Sequence, residues 1–363
     1  MAIKILFGQT SPPDDRKNRQ TQDGPIINAQ QSHDPALKKG LLNSYRMKVK
    51  DKAGIYPNSV EVNNDNRTKV QNVIVELDQL VGLVEVKKIL SEIQAFIEIQ
   101  NRRAREQLAT EPLVLHMIFK GNPGTGKTTV ARLIGRLYQE IGVLPKGHVV
   151  EVERADLVGE YIGHTAQKTR EQIKKALGGI LFIDEAYSLA RGGEKDFGKE
   201  AIDTMVKSME DRKDNLVLIL AGYNNEMDWF LRTNPGLRSR FPIHLEFPDY
   251  SVVELMEIGK RMLAQRQYCL SLGAQTKMEK ILVKQLLAGH PYDGNARFVR
   301  NLIERTIRKQ AVRLVTKISV TRHDLMLIEA HDLVDDNQTL SPANRPDGEY
   351  AIKNLSISGK AQD

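Results

Sequence analysis

The sequence predicts an α/β fold, a parallel sheet flanked by helices, followed by a small all-α domain. Three observations predict it. Apolar runs such as "GILFIDEA" and "LVLILAGY" alternate with helical patterns between residues 115 and 250. Strands buried on both faces of a parallel sheet read as continuous runs of this kind. A glycine-rich loop, "GNPGTGKT", falls where one such strand gives way to a helix. From "PDYSVVEL" onward the strand patterns stop and three helical patterns follow.

The elements follow in order. A helical pattern starts near Val70 and continues through "VEVKKILSEIQAFIEIQNRRARE", with Val84, Ile89, Ile93, Phe96 and Ile97 as its apolar face. "LHMIFKG" is the strand that feeds the glycine loop, and "TTVARLIGRLYQEIG" the helix that leaves it. "HVVEVE", "GILFIDEA", "LVLILAGY" and "HLEF" are further strands, with "TAQKTREQIKKAL" and "KEAIDTMVKSMED" as helices between them. "SVVELMEIGKRMLAQRQ", "TKMEKILVKQLLA" and "NARFVRNLIERTIRKQAVRLV" are the three closing helices. The last has an apolar stripe at Val299, Ile303, Ile307, Ala311 and Leu314. Residues 1–69 are polar and broken by proline, which predicts a loosely ordered N-terminal region. Residues 335–363 predict a flexible tail.

Bulk composition narrows the function classes. The chain has 363 residues, too many for one small core, with 40% apolar and 27% charged residues. No run approaches the roughly 18–20 apolar residues a membrane helix needs, so no membrane partner is expected. "IKILF" is too short for a signal-peptide core. One cysteine, Cys269, excludes an internal disulfide framework and a multi-cysteine zinc site, and a reducing cytoplasm is the expected setting. The net charge of +7 is compatible with nucleic acid, but no basic-aromatic alternation of the kind that stacks bases is present. Lysine-rich solvated helices on an anion-handling enzyme explain the charge better.

Gly121-Asn122-Pro123-Gly124-Thr125-Gly126-Lys127-Thr128 fits G-x-x-x-x-G-K-[ST] in full. Successive N–H groups that curl inward around phosphate oxygens need unusual backbone angles and no Cβ in the way. The helix that starts near Lys127 adds its positive end. The motif places Lys127 on the β- and γ-phosphates of ATP and the Thr128 hydroxyl on Mg²⁺, with Thr129 next in the helix. In "GILFIDEA", Asp184 at the end of a buried strand is positioned for the magnesium shell. Glu185 follows, and a carboxylate there can polarise a water for attack on the γ-phosphate. The adjacent pair points to hydrolysis by a P-loop NTPase. The expected organisation is 70–250 as the nucleotide-binding domain and 251–334 as a helical lid.

"GNPGTGKTTVAR", "LFIDEAYSL", "NPGLRSRF" and "GNAR", in this order, resemble the AAA+ ATPases. "LVGEYIGHTAQKT" and "AGYNNEMDWFLRTNPGLRSRFP" resemble the subgroup of sporulation-type proteins and red-type Rubisco activases, and among these the sporulation branch. The resemblance covers about Val70 to Leu333. It implies that Val81, Gly82 and Leu83 pack on adenine. It implies a polar γ-phosphate sensor at the end of "ILAGYNN", where Tyr223 and Asn224 are both candidates; the Asn224 amide is the better group to orient a water. It implies that Arg240 is an arginine finger reaching a neighbour's nucleotide, with Arg238 as helper, and that Arg297 senses nucleotide from a lid helix. A cation in the first turn of a helix is unfavourable by dipole alone, and a nearby polyphosphate offsets that cost. In "EYIGHT", Tyr161 and Ile162 resemble the pair that grips polypeptide in the ring's pore, with Gly163 for flexibility.

The expected function is therefore an ATP-hydrolysing protein remodeller acting as a ring, a hexamer by default, on an unidentified protein client. Sporulation is the expected setting. Activation of a metabolic enzyme in the manner of a Rubisco activase is the alternative, and a nucleic-acid motor ranks below both. A non-catalytic nucleotide switch is disfavoured by Lys127, Asp184, Glu185 and Arg240 together.

Overall fold

The computed structural model describes residues 64–111, 113–161, 163–191, 197–212, 215–287 and 294–334. Most of the N-terminal region, Ile162 and the C-terminal tail, all subjects of expectations above, lie outside the described residues. The chain divides into two compact units. The described part of the first is 64–258 with 294–298, and of the second 259–287 with 299–334.

The first unit is built on five parallel strands. They are β1 (Met117–Gly121), β2 (Val149–Val152), β3 (Ile180–Ile183), β4 (Val217–Gly222) and β5 (Ile243–Phe247). Their order across the sheet is β2-β3-β4-β1-β5. Ile118 stands opposite Leu220 on one side and His244 on the other, and Ile183 also aligns with Leu220. Every residue of β3 and β4 is buried, whereas the edge strands β2 and β5 are only partly so. Burying one such Leu, Ile or Phe side chain contributes about 1.5–3 kcal/mol, which is why continuous apolar runs settle at the centre of the sheet.

Helices α1 (Asn64–Gln79), α2 (Val84–Arg105), α3 (Lys127–Glu140), α4 (Arg154–Leu157), α5 (His164–Ala176), α6 (Gly198–Asp211), α7 (Asn224–Thr233) and α8 (Pro235–Arg240) belong to this unit. Within it, Leu157, Ile173, Met205, Phe230 and Phe241 pack with Leu181, Ile183 and Leu218 of the sheet. Phe119 packs on Phe247 at 5.0 Å between ring centres and edge-on to Phe182 at 6.2 Å.

The first helical pattern differs from expectation. It begins at Asn64 rather than Val70, so residues 64–69 are helical despite their polarity. It is also two helices, because Gly82 and Leu83 both take left-handed backbone angles (φ 64° and 55°) and break the run. The buried face of α2 is Val86, Leu90, Ile97 and Gln100, while Val84 and Phe96 are exposed. Helices α4, α7 and α8 were not expected. Helices α4 and α8 are too short for an apolar period to show, and Pro235 at the start of α8 marks only a turn until its context is known, whereas α7 buries Met227, Phe230 and Leu231 at helical spacing.

In the second unit, α9 (Val252–Gln265) ends, α10 (Leu272–Leu287) follows, α11 (Asn295–Val315) runs through, and α12 (Arg322–Met326) closes. The unit is not all helical. Cys269–Leu270 (β6) pairs in parallel with Leu327–Ile328 (β7). The buried face of α11 is Val299, Leu302, Ile303, Thr306, Gln310 and Leu314, not Ile307 and Ala311, and Ala311 is exposed. The amide nitrogen of buried Gln310 donates to the carbonyls of Asp324, Leu325 and Leu327. Beside it, Arg313 donates to both Asp332 oxygens at 2.9 and 2.8 Å and to Glu329 at 3.1 Å. Two polar side chains thus hold the end of the unit where apolar ones were expected. No helix among the described residues is long and apolar enough to cross a membrane.

Candidate nucleotide site

Ligands of open parallel sheets sit beyond the carboxyl ends of the strands. Here the ends of β1, β3 and β4 carry the loop 121–126, the pair Asp184–Glu185, and Tyr223–Asn224. The loop is glycine-built for a stated reason. Gly121, Gly124 and Gly126 have φ of 155°, 75° and 100°. A Cβ on Gly124 would lie 2.8 Å from the Arg297 backbone nitrogen, and one on Gly121 would lie 2.3 Å from the Phe247 carbonyl. Gly126 is the cap from which α3 starts, with Thr128 half-buried and Thr129 exposed in its first turn.

Lys127 folds back over the loop. Its ammonium donates to the carbonyls of Gly121 (2.8 Å) and Asn122 (2.9 Å). Burial holds its pKa below the usual lysine value; Asp184, Asp249 and Glu185 oppose that shift and Arg297 adds to it. Two carboxylates of the expected site and the expected sensing arginine therefore act electrostatically on this one ammonium. The Asp184 N–H donates to the Val152 carbonyl, which ties it to β2, and one of its oxygens accepts from the Glu185 N–H at 3.0 Å. Glu185 is exposed, with a left-handed backbone at φ 46°. Asn224 is exposed at the first position of α7, while Tyr223 is half-buried with its ring 5.8 Å from that of Tyr187.

Leu83 is buried at the entry to α2. A Cβ on Gly126 would lie 3.4 Å from the Tyr250 hydroxyl and 3.7 Å from Leu83, so these two side chains flank the loop. Gly82 lies against Glu254 and Tyr250, and Val81 is half-buried beside it. Burial pushes the Tyr250 hydroxyl up to about 12, which keeps it a donor, and it donates to the Thr125 carbonyl at 3.0 Å.

Three residues absent from the sequence reading stand here: Asp249, Tyr250 and Asn295. Asp249 accepts from the Asn122 amide on both oxygens, at 3.0 and 2.9 Å. The Asn295 amide donates to Asp249 at 2.8 Å. "PDY" is an ordinary turn composition, and "GNAR", though part of the family resemblance, draws attention to Arg297 and gives Asn295 no role.

The remaining candidates lie apart from the loop. Arg240 ends α8; its Nε donates to Glu210 at 3.0 Å and its Nη1 to the Gly236 carbonyl at 2.8 Å. Arg238 is exposed on the same helix. Tyr161 is 66% exposed, between β2 and α5, with its ring edge-on to His164 at 5.5 Å. Gly163 caps α5 at φ 82° in open space.

A phosphate loop after the first strand, an acidic pair after the third and a following helical unit define a P-loop ATPase. The chain belongs to the AAA family of ATPases: residues 117–249 match the "ATPase family associated with various cellular activities (AAA)" and residues 251–343 the AAA lid domain. It is 57% identical to "Stage V sporulation protein K" of Bacillus subtilis (strain 168) over 279 residues, which is 77% of this chain and 87% of that one. It is 43% identical to "Ribulose bisphosphate carboxylase/oxygenase activase, chloroplastic" of Cyanidioschyzon merolae over 74% of this chain and 92% of that one. It is also 45% identical to "Protein CbbX" of Cereibacter sphaeroides over 74% and 87%.

Proposed function

We propose that this chain is a Mg²⁺-dependent ATPase that works as a homo-oligomeric ring, by default a hexamer, and remodels a protein client. The observation that carries it is a half-buried Lys127 folded over a glycine loop whose backbone angles suit an anion, within electrostatic reach of Asp184 and Glu185. The donor set fits magnesium. Among the described residues no group of three or more metal-ligating side chains occurs. Magnesium is commonly held by one or two protein oxygens together with substrate phosphates, and Thr128 and Asp184 supply such oxygens. A bound magnesium would neutralise charge on the phosphoryl oxygens.

Each residue then has one task. The loop N–H groups and Lys127 bind the phosphates, Glu185 takes a proton from the attacking water, and Asn224 orients that water. Arg240, with Arg238 beside it, stabilises charge in a neighbouring subunit's site, and Arg297 responds to the phosphates from the start of α11. Val81, Gly82 and Leu83 contact adenine. Tyr161, Ile162 and Gly163 contact the client. We place the nucleotide-binding domain at 70–250 and the lid at 251–334, in a cytoplasmic protein.

The likeness to Stage V sporulation protein K supports a client in sporulation. The likeness to an activase of ribulose bisphosphate carboxylase/oxygenase supports, as second reading, a metabolic enzyme as client. Steady-state ATPase assays test the class of machine. Hydrolysis should require Mg²⁺, stop with EDTA and be indifferent to added DNA or RNA. Failure to hydrolyse ATP, or strong stimulation by nucleic acid, overturns the reading.

A further inference from the structure

An anion cradle works only if its N–H groups converge, and in a trans peptide the N–H of one residue points opposite to the carbonyl of the residue before it. No cis peptide occurs among the described residues. Holding the carbonyls of residues 123, 124 and 125 on the outside therefore aims the N–H groups of 124, 125 and 126 inward. In this structure all three carbonyls are held by residues outside the loop. Asn295 Nδ2 donates to the Pro123 carbonyl at 3.4 Å, the Ala296 N–H to the Gly124 carbonyl at 3.2 Å, and Tyr250 Oη to the Thr125 carbonyl at 3.0 Å. The side chain of Asn122 is held too, by both oxygens of Asp249.

Asn295 and Asp249 join these holds into one assembly. Asn295 is only 5% exposed and sits at φ 61°, a left-handed conformation that asparagine tolerates better than most residues. Its amide donates to Asp249 at 2.8 Å while its oxygen accepts the Tyr250 N–H at 2.9 Å. Two residues beyond Asn295 is Arg297. We propose that Asn295 and Asp249 are positioning residues for nucleotide binding: a clasp, its asparagine buried and its carboxylate exposed, that aims the phosphate-loop N–H groups and fixes the start of the helix carrying Arg297. This rests on the nucleotide reading above and names residues that reading does not use.

The test is an exchange of partners in the full chain, read as the dissociation constant for ATP with Mg²⁺. Asn295→Asp sets two carboxylates side by side and should weaken ATP about ten- to a hundredfold, the worth of a charge-assisted hydrogen bond. Adding Asp249→Asn restores a donor facing an acceptor, and the double variant should recover part of the loss, the hold on the Pro123 carbonyl staying broken. General destabilisation would not be repaired by this exchange. Asn295→Gly, which keeps the left-handed backbone, should also weaken ATP, measured at a temperature where a denaturation curve without nucleotide shows the variant to be folded. It decides alone should Asn295→Asp not fold. Parental affinity in Asn295→Gly, or no recovery in a folded double variant, overturns the clasp. Lys127→Ala run alongside separates the two ideas: ATP binding lost there but unchanged in Asn295→Gly removes the clasp only, whereas parental binding in Lys127→Ala removes the nucleotide reading and the clasp with it.

Discussion

Glu185 keeps a left-handed backbone that costs a residue of its kind on the order of 1–3 kcal/mol, directly after the strand that delivers Asp184. Such cost is retained where a side chain must point somewhere particular. Glu185→Gln keeps shape and removes basicity, so it should bind ATP within about threefold of the parent and hydrolyse it about 10²–10⁴-fold more slowly. Fluorescent-nucleotide titration beside a phosphate-release assay checks both halves, and parental turnover would remove Glu185 from the mechanism. His116 gives a residue-scale prediction about stability. It is buried, its Nδ1 accepts the Leu218 N–H, and burial lowers its pKa to about 4. The unfolded chain takes up this proton near the ordinary value of 6.5 and the folded chain near 4, so stability falls as pH drops through that window. Between pH 7 and 5 the loss from this one group is about 2 kcal/mol. His116→Asn, which keeps an acceptor and cannot be protonated, should flatten that slope in urea denaturation at the two pH values. An unchanged slope would mean that His116 binds its proton equally well in the folded and unfolded chain.

At the scale of elements, the sequence was most informative where burial alone decides. β3 and β4, buried along their whole length, and α11, with matching ends, stand where their patterns put them. It was least informative where polar groups do the packing. The α11 face turns onto Thr306 and Gln310, whose buried hydrogen bonds an apolar count cannot register. The same holds in the site: the phosphate loop and the Asp184–Glu185 pair are legible because their chemistry needs fixed local spacing. Asp249 and Asn295 are 46 residues apart in sequence and meet only in space. The second unit offers an element-scale test. The Asp332 side chain is fully buried against Arg313. Asp332→Asn leaves Arg313 with Glu329 as its remaining carboxylate partner, and losing the charge-assisted bonds to the buried Asp332 costs about 1.5–3 kcal/mol. Limited proteolysis should then open residues 259–334 at a temperature where residues 70–250 still resist; uniform resistance would show the pair to be dispensable.

Tyr161 belongs to the same scale and leads to the next. With two-thirds of its surface exposed, its ring contributes little to the core. Tyr161→Ala should therefore leave basal ATP hydrolysis within about threefold of the parent and lower client remodelling, since a buried aromatic ring contributes about 1–3 kcal/mol of contact. Tyr161→Phe should keep most of that grip. Undiminished remodelling in Tyr161→Ala would place client handling elsewhere on the molecule.

At the scale of the whole molecule, the question is whether one subunit completes another. Arg240 is held within its own chain by Glu210 and the Gly236 carbonyl. Glu210 is exposed and Arg240 half-buried, and ion pairs near the surface are worth about 0–1 kcal/mol, so a desolvated polyphosphate can outcompete this one. If Arg240 serves the neighbour's nucleotide, the ring is a chain of two-part sites, each using Lys127 from one subunit and Arg240 from the next. Arg240→Ala should then lose turnover by about 10³-fold or more with nearly unchanged ATP affinity, because its own loop is intact. Lys127→Ala should lose binding and turnover while keeping its arginine. Mixed in equal amounts and allowed to reassemble, the two inactive proteins should regain activity at roughly a quarter of the sites, those where an intact loop meets an intact arginine. A sedimentation or light-scattering measurement with ATP fixes the ring size that this arithmetic assumes. No recovery in mixtures that do reassemble, combined with weakened ATP binding in Arg240→Ala alone, would assign Arg240 to its own subunit, where the bond to Glu210 already gives it a structural place joining α6 to α8.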